Sequence, residues 1–189
     1  DGAEGGTHAG APILEDDLGL PTLFAINRAA NFLNRKGVKS DVSLLATGGL
    51  KTPGDYLRAL AMGADAVYIG TIAVMALVGD QMTKTLPFEP PTGLVVYNAK
   101  ATDKLDIDRA SKNLFNYLNA AVEEMNLVCY SLGKTALSEV NKADLCALDP
   151  FLARALGIEW GYVAPNEQEQ IFSDFAHIEA PESPAYHDQ

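Results

Sequence analysis

A chain of 189 residues, 48% apolar and 21% charged, is long enough for one domain with a real core and too apolar for intrinsic disorder. The formal net charge of −11, with 14 scattered Lys and Arg residues, argues against a nucleic-acid partner, because an acidic surface repels a phosphate backbone. No apolar run approaches the roughly 20 residues of a membrane span and no signal peptide is visible, so a cytoplasmic protein without membrane contact is expected.

In chain order, residues 1–12 (DGAEGGTHAGAP) read as a Gly-rich loop. Leu20 to Leu33 reads as a helix, with Pro21 in its first turn, Leu23, Ile26, Ala30 and Leu33 at helical spacing, and Gly37 as a stop signal. Val42 to Ala46 (VSLLA) has the length and character of a buried strand and runs into Thr47-Gly48-Gly49. Thr52 is a good N-cap with Pro53 at the first helical position, and that helix is expected to reach Met62 and stop at Gly63. Ala66 to Ile69 predicts a second strand ending at Gly70-Thr71. Ile72 to Thr83 predicts a helix apolar nearly all round, and therefore buried. This alternation implies a parallel sheet with crossover helices.

Residues 85–103 contain Pro87, Pro90, Pro91 and Gly93, which break any helix. A long helix is expected from Asp106 to Met125, with Ile107, Leu114, Leu118 and Val122 along its apolar face. Short helices are expected over Tyr130 to Leu137 and Pro150 to Ala155, and a frayed end over Pro181 to Gln189. The two cysteines, Cys129 and Cys146, are too few for a disulfide framework or a four-ligand metal site, and read as buried free thiols. The three histidines show no metal-ligand spacing.

The chemistry sits in the Gly-containing turns: Gly5-Gly6-Thr7, Gly48-Gly49 and Gly70-Thr71. The last two each follow a predicted strand, precede a helix and lie 22 residues apart. Glycine lets a backbone approach a ligand closely, and a helix N-terminus offers free N–H groups to an anion. In (β/α)₈ barrels the loops after strands 7 and 8 often hold a phosphate. On spacing alone, phosphate binding and plain tight turns both remain open. Lys51 reads either as a positive charge beside such a phosphate or as a solvated side chain, and His8 has no visible partner that would make it an acid or base.

The segments DGAEGGTHAGAP, GLP with its helix, and LLATGGLKTPGDYLRALAMGADAVYIGT, in that order and spacing, resemble the FMN-binding domain of the glutamate synthase family. There an (E/D)GGTGA(A/S)P loop follows strand 6, a Gly-rich turn follows strand 7, and a GADxxxxGT segment forms strand 8 and its turn. The resemblance implies an α/β fold: the C-terminal portion of a TIM (β/α)₈ barrel, about strands 7 and 8 with their helices, followed by a helical tail. It implies FMN as cofactor. Gly48 and Gly49 would give N–H groups to its phosphate, Gly70 and Thr71 would complete the cradle, and Gly5, Gly6 and Thr7 would line the loop beside cofactor and substrate, with Lys51 as a further candidate. The implied reaction is that of a flavin-dependent oxidoreductase that reductively aminates 2-oxoglutarate to glutamate or a related amino acid.

The sequence departs from the pattern at His8, where a Gly is usual. It also lacks the three cysteines that follow the last barrel strand in glutamate synthases, so no iron–sulfur cluster is expected on this chain. A start at Asp1, inside a Gly-rich loop and without a Met, leads to the expectation of a fragment. Its catalytic residues would then lie upstream, it would need the remainder of the parent polypeptide or another copy to cover open strand edges, and it would be inactive by itself. The expected organisation is a barrel end over residues 1–84, an irregular connection over 85–105, a helical tail packing on the barrel over 106–160 and a polar C-terminus over 161–189. Two other readings remain: a non-catalytic structural or oligomerisation fragment, and part of another FMN- or phosphate-binding barrel such as a 2-hydroxy-acid oxidase or IMP dehydrogenase relative.

Overall fold

A computed structural model of the chain describes residues 17–81 and 102–164, together with Ile13, Glu167, Gln170 and Ser173. The Gly5–His8 loop, most of the expected 85–103 connection and the expected frayed end at 181–189 lie outside the described residues. The chain divides into two units, residues 1–144 and 145–189.

In the first unit, helix α1 spans Thr22–Lys36. Pro21 is its N-cap rather than part of its first turn, and Gly37, at φ 69°, turns the chain out of it. Arg35 and Lys36 sit in the last turn, where cations complement the helix dipole. Strand β1, Leu45–Ala46, and strand β2, Ala66–Val67, pair in parallel with Leu45 opposite Ala66 and Ala46 opposite Val67. Both are shorter than the apolar runs that predict them. The pairing extends at each end through main-chain bonds from Asp65 N–H to the Leu44 carbonyl (2.8 Å) and from Tyr68 N–H to the Ala46 carbonyl (2.7 Å).

Helix α2, Pro53–Ala61, makes the crossover between the strands. Its N-terminus is a full capping box: Thr52 Oγ1 accepts the Asp55 N–H, and the Asp55 carboxylate accepts the Thr52 N–H. Its buried residues, Tyr56, Leu57, Ala59 and Ala61, continue into Met62, only 1% exposed. Gly63 ends the turn at φ 108°, a conformation L side chains rarely adopt. A Cβ there would also lie 2.7 Å from the Ala30 Cβ of α1, so Gly63 sets how closely α1 approaches the α2–β2 connection.

Helix α3, Thr71–Val78, has Gly79 as its C-cap and ends five residues short of the predicted Thr83. It is also not buried all round: only Val78 is buried, Met75 is exposed, and the remaining apolar side chains are half-covered. Among the described residues its chief neighbour is helix α4, Ile107–Ser131, which also packs on α2. That one neighbour covers one side of an eight-residue helix that is apolar on every side.

Helix α4 extends beyond the predicted Met125 and absorbs the first residues assigned to a separate short helix from Tyr130. Its buried face is Ala110, Ala121, Met125 and Cys129, with Leu114 and Tyr117 half-covered. The predicted face is overturned except at Leu114, because Ile107, Leu118 and Val122 are exposed. The apolar arc of α4 is wider than one contact, and alanines at 110 and 121 let the backbone come closest on their side. The helix is pinned to the end of α3 by polar pairs. Gln81 Oε1 accepts the Asp106 N–H (2.9 Å) while Gln81 Nε2 donates to the Asp106 carbonyl (3.1 Å). Asp80 accepts from Arg109 Nε (2.7 Å) and from Asn113 Nδ2 (2.9 Å).

The second unit is built from strand β3 (Cys146–Ala147), helix α5 (Pro150–Leu156) and strand β4 (Glu159–Trp160). The strands pair in parallel, Cys146 opposite Glu159 and Ala147 opposite Trp160. Asp149 caps α5 by accepting the Leu152 N–H (2.7 Å), Pro150 opens it and Gly157 closes it. The helix matches the expectation for Pro150 to Ala155 within a residue. The two short strands carry no apolar periodicity that would have announced them.

Gly63 offers a direct check on this packing. Gly63→Ala adds left-handed strain to a clash with Ala30 and is expected to cost on the order of 2–4 kcal/mol. Gly37→Ala, with nothing within 4 Å of the new Cβ, is expected to cost only about 1–2 kcal/mol. Urea unfolding of the two variants, followed by circular dichroism, measures the difference.

Candidate anion-binding site

Parallel pairing of β1 and β2 sends both following turns off the same edge of the sheet, at the carboxyl ends of the strands, where ligands bind in open α/β sheets. The first turn, Thr47-Gly48-Gly49-Leu50-Lys51, leads into α2. The second, Tyr68-Ile69-Gly70, leads into α3. The structure therefore brings Gly48, Gly49, Lys51, Gly70 and Thr71 to one edge, whereas Gly5, Gly6, Thr7 and His8 lie outside the described residues.

The two turns use glycine differently. Gly48 and Gly49 have φ of 104° and 66°, so the fold of the first turn already demands glycine at both positions. Gly70 has φ −123° and nothing within 4 Å of where a Cβ would sit. Neither left-handed backbone nor crowding by the described residues calls for glycine there, and the space beside it is open. Gly70 is the N-cap of α3 yet supplies no side-chain cap, and the first turn of that helix carries no acidic residue. The N–H groups of Ala73 and Val74 bond back to the Gly70 carbonyl (3.0 and 3.2 Å). Among the described residues no side chain satisfies the first-turn N–H groups of α3, and Gly70 and Thr71 are both exposed. This open, uncapped end suits an anion.

The first turn is held from several sides. Thr22 Oγ1, at the start of α1, donates to the Gly48 carbonyl (2.8 Å), and Gly48 is buried. Leu50 is buried in the core. The Lys51–Thr52 peptide is gripped on both edges: Asp55 Oδ2 accepts its Thr52 N–H (2.9 Å), as it does the Lys51 N–H (3.0 Å), and its Lys51 carbonyl accepts the Tyr117 hydroxyl of α4 (2.9 Å). Since Tyr117 donates to Lys51, the close Tyr56–Tyr117 hydroxyl pair must run from Tyr56 as donor to Tyr117 as acceptor. Burial, then the hydrogen bond to Tyr117 and the charge of Asp55, push the Tyr56 phenol well above its ordinary value, so it stays protonated as that donor role needs. The Lys51 side chain itself is exposed.

Asp55 also receives Thr52 Oγ1–H (2.9 Å) and Arg58 Nη2 (2.5 Å). Burial would raise its carboxyl, but the N–H groups of Lys51 and Thr52 and the Arg58 guanidinium outweigh it and hold the group below the ordinary carboxylate value. The N-terminus of α2 is thus already occupied by its own carboxylate, in contrast to that of α3.

Sequence reasoning located the glycine turns and the Thr52 cap but missed Thr22, Asp55, Tyr56 and Tyr117. Asp55 was detectable as the acidic partner three residues after Thr52. Tyr56 and Tyr117 lie 61 residues apart and leave no local signal. The reading of both cysteines as buried also needs correction: Cys129 is buried in α4, but Cys146, on a two-residue strand that covers only its alternate position, is exposed. Among the described residues no group of three or more His, Cys, Asp or Glu is placed to hold a metal ion, and no helix is long and apolar enough to cross a membrane.

Residues 1–135 match the family described as the conserved region in glutamate synthase. The chain is 33% identical over 165 residues to a glutamate synthase large subunit-like protein of Rhizobium meliloti (strain 1021), covering 78% of this chain and 37% of that protein. It is 31% identical over 141 residues to an archaeal-type glutamate synthase [NADPH] of Thermotoga neapolitana, covering 74% of this chain and 28% of the relative. It is 30% identical over 168 residues to an archaeal glutamate synthase [NADPH] of Archaeoglobus fulgidus, covering 84% and 32%. The chain belongs to the glutamate synthase family, and it spans about a third of the length of these relatives.

The carboxylates of the first unit make its stability depend on pH in a definite direction. Asp65 is held low by Lys39 and the Leu44 N–H, Asp80 by Asn113 and Arg109, Glu139 by the N–H groups of Thr135 and Ala136, and Asp144 by Lys134 and the Asn141 N–H. With Asp55, these groups have folded values below their unfolded ones. As pH falls the unfolded chain takes up protons first, so their stabilisation is complete above the ordinary carboxylate range and is lost as pH drops through the folded values. Urea midpoints are expected to stay nearly level from pH 7 to about 5 and to fall below that. Asp55→Asn is expected to lower the midpoint at neutral pH while making the acid limb shallower.

Proposed function

We propose that this chain supplies the phosphate-binding end of an FMN-dependent glutamate synthase-type oxidoreductase, built as about strands 7 and 8 of a (β/α)₈ barrel with a helical tail. The observation that carries the reading is the uncapped α3 N-terminus at Gly70-Thr71, set beside the Gly48-Gly49 turn by the parallel pairing of β1 and β2. In such barrels a phosphate sits at this pair of loops. The half-covered apolar flanks of α3 support the barrel reading too, since parallel sheets and their helices ordinarily sit within larger layered folds.

The residues present fit the phosphate of FMN. Gly48 and Gly49 hold the first loop in a shape no other residue adopts readily, Gly70 leaves room, and the first turn of α3 supplies N–H donors and the positive end of a helix dipole. Lys51 adds a nearby cation on an exposed stem. Bound FMN would carry the hydride transfer, with the protein orienting it and setting its electrostatics. The relatives' names, glutamate synthase and in several cases glutamate synthase [NADPH], favour glutamate synthesis as the reaction of the whole protein; the sequence resemblance would make 2-oxoglutarate the acceptor, in a cytoplasmic enzyme.

A second reading, an assembly role, is favoured by the exposed Ile107, Phe115, Leu118 and Val122 on α4. Sedimentation showing a monomer at micromolar concentration would remove it.

FMN titration followed by flavin fluorescence tests the main reading. Binding is expected, and Gly70→Asp, which sets a carboxylate at the open end of α3, is expected to weaken it more than tenfold, about 1.4 kcal/mol or beyond. Gly70→Ala is expected to keep the fold, because its Cβ meets nothing within 4 Å. A protein that takes up no FMN is not a flavoenzyme of this type.

A further inference from the structure

Helix α4 follows both glycine turns by a long stretch of chain, yet it makes the bond that closes the first of them. Tyr117 is half-buried and reaches across 66 residues to the Lys51 carbonyl, and buried Tyr56 donates to Tyr117 from behind. The opposite edge of the same peptide, the Thr52 N–H, is held by Asp55, and the near end of the turn by Thr22. Among the described residues, the Gly48–Lys51 segment is held by Thr22, Asp55 and Tyr117, and of these Tyr117 alone comes from outside the β/α units.

We infer that Tyr117 is a positioning residue for the anion site, holding the Gly48-Gly49 turn in its ligand-ready shape through the Lys51 peptide, with Tyr56 orienting its hydroxyl. This rests on the proposed FMN-phosphate reading of the turn. Tyr117 does not bind the ligand itself. Two consecutive glycines make a pliable backbone, and an unheld turn would lose entropy on binding that a held one has already given up. A peptide fixed on both edges removes that freedom in advance. Tyr117 is half-buried where α4 meets α2, and Tyr117→Phe removes the hydroxyl while keeping the ring.

The test compares FMN with riboflavin, which lacks the phosphate, by titration of the full-length protein. Native protein is expected to prefer FMN. Tyr117→Phe is expected to weaken FMN binding about tenfold while leaving riboflavin binding unchanged, and hydrogen exchange of the Gly49, Leu50 and Lys51 amides is expected to quicken. Tyr56→Phe, which keeps the Lys51 bond, is expected to give a smaller effect of the same kind. An unchanged FMN preference in Tyr117→Phe overturns the inference, as does an equal loss for both flavins, which marks general loosening. A native protein with no preference for FMN over riboflavin sinks the phosphate reading, and the inference with it, and that outcome is distinct from both.

Discussion

Four strand residues carry the constraint on which the rest of the molecule depends. The register Leu45–Ala66 and Ala46–Val67 makes β1 and β2 run the same way, and only parallel strands deliver successive turns to one edge of a sheet. An antiparallel pair would have set Gly48-Gly49 and Gly70-Thr71 at opposite ends, each an ordinary turn. A pairing so short does not hold alone. It is maintained by α2 through a full capping box at one end and by Gly63, pressed against Ala30, at the other. The chemistry proposed for the edge rests on this packing behind it.

Local rules read much of this from the residues. The Thr52–Pro53 start, the Gly63 stop and the alternation of apolar runs with amphipathic ones each express a preference that the surroundings do not override. The elements misread are those whose sequence satisfies more than one arrangement. Helix α4 carries apolar residues over a broad arc, so periodicity finds a face but not the one that docks. Alanines at 110 and 121 decide that by closeness, a property no hydrophobicity count weights. The α3 run TIAVMALV is apolar on all sides, and burial on every side was the natural reading. The glycine turns were legible, but which glycine the backbone needs and which stands beside open space was not, because φ and neighbouring atoms exist only in three dimensions.

Electrostatics follow the same division between local and long-range. With a formal charge of −11, the chain has more carboxylates than cations, and it steadies several of them with main-chain N–H groups. Asp55, Glu139 and Asp144 all close turns this way, within four residues of the groups they accept from. The reverse case is Lys142, which reaches the side-chain oxygens of Asn27 and Asn31 on α1, 115 and 111 residues away, and is lowered by burial. Neutral amides thus serve a partly buried ammonium where a carboxylate would bring a second charge to desolvate.

The hydroxyl of Tyr117 has a consequence for how the molecule comes into being. Strand pairing, the crossover helix and the cap at Thr52 draw on groups close together in the chain, and their closure entropy is modest. The bond to Lys51 closes a loop of 66 residues and waits on the docking of α4. The turn at Gly48-Gly49 thus draws its outline from near neighbours in the chain and its final set from a contact 66 residues away, the kind of non-local closure that slows folding. A chain still emerging from the ribosome, with α4 not yet released, holds the outline of this turn without its lock.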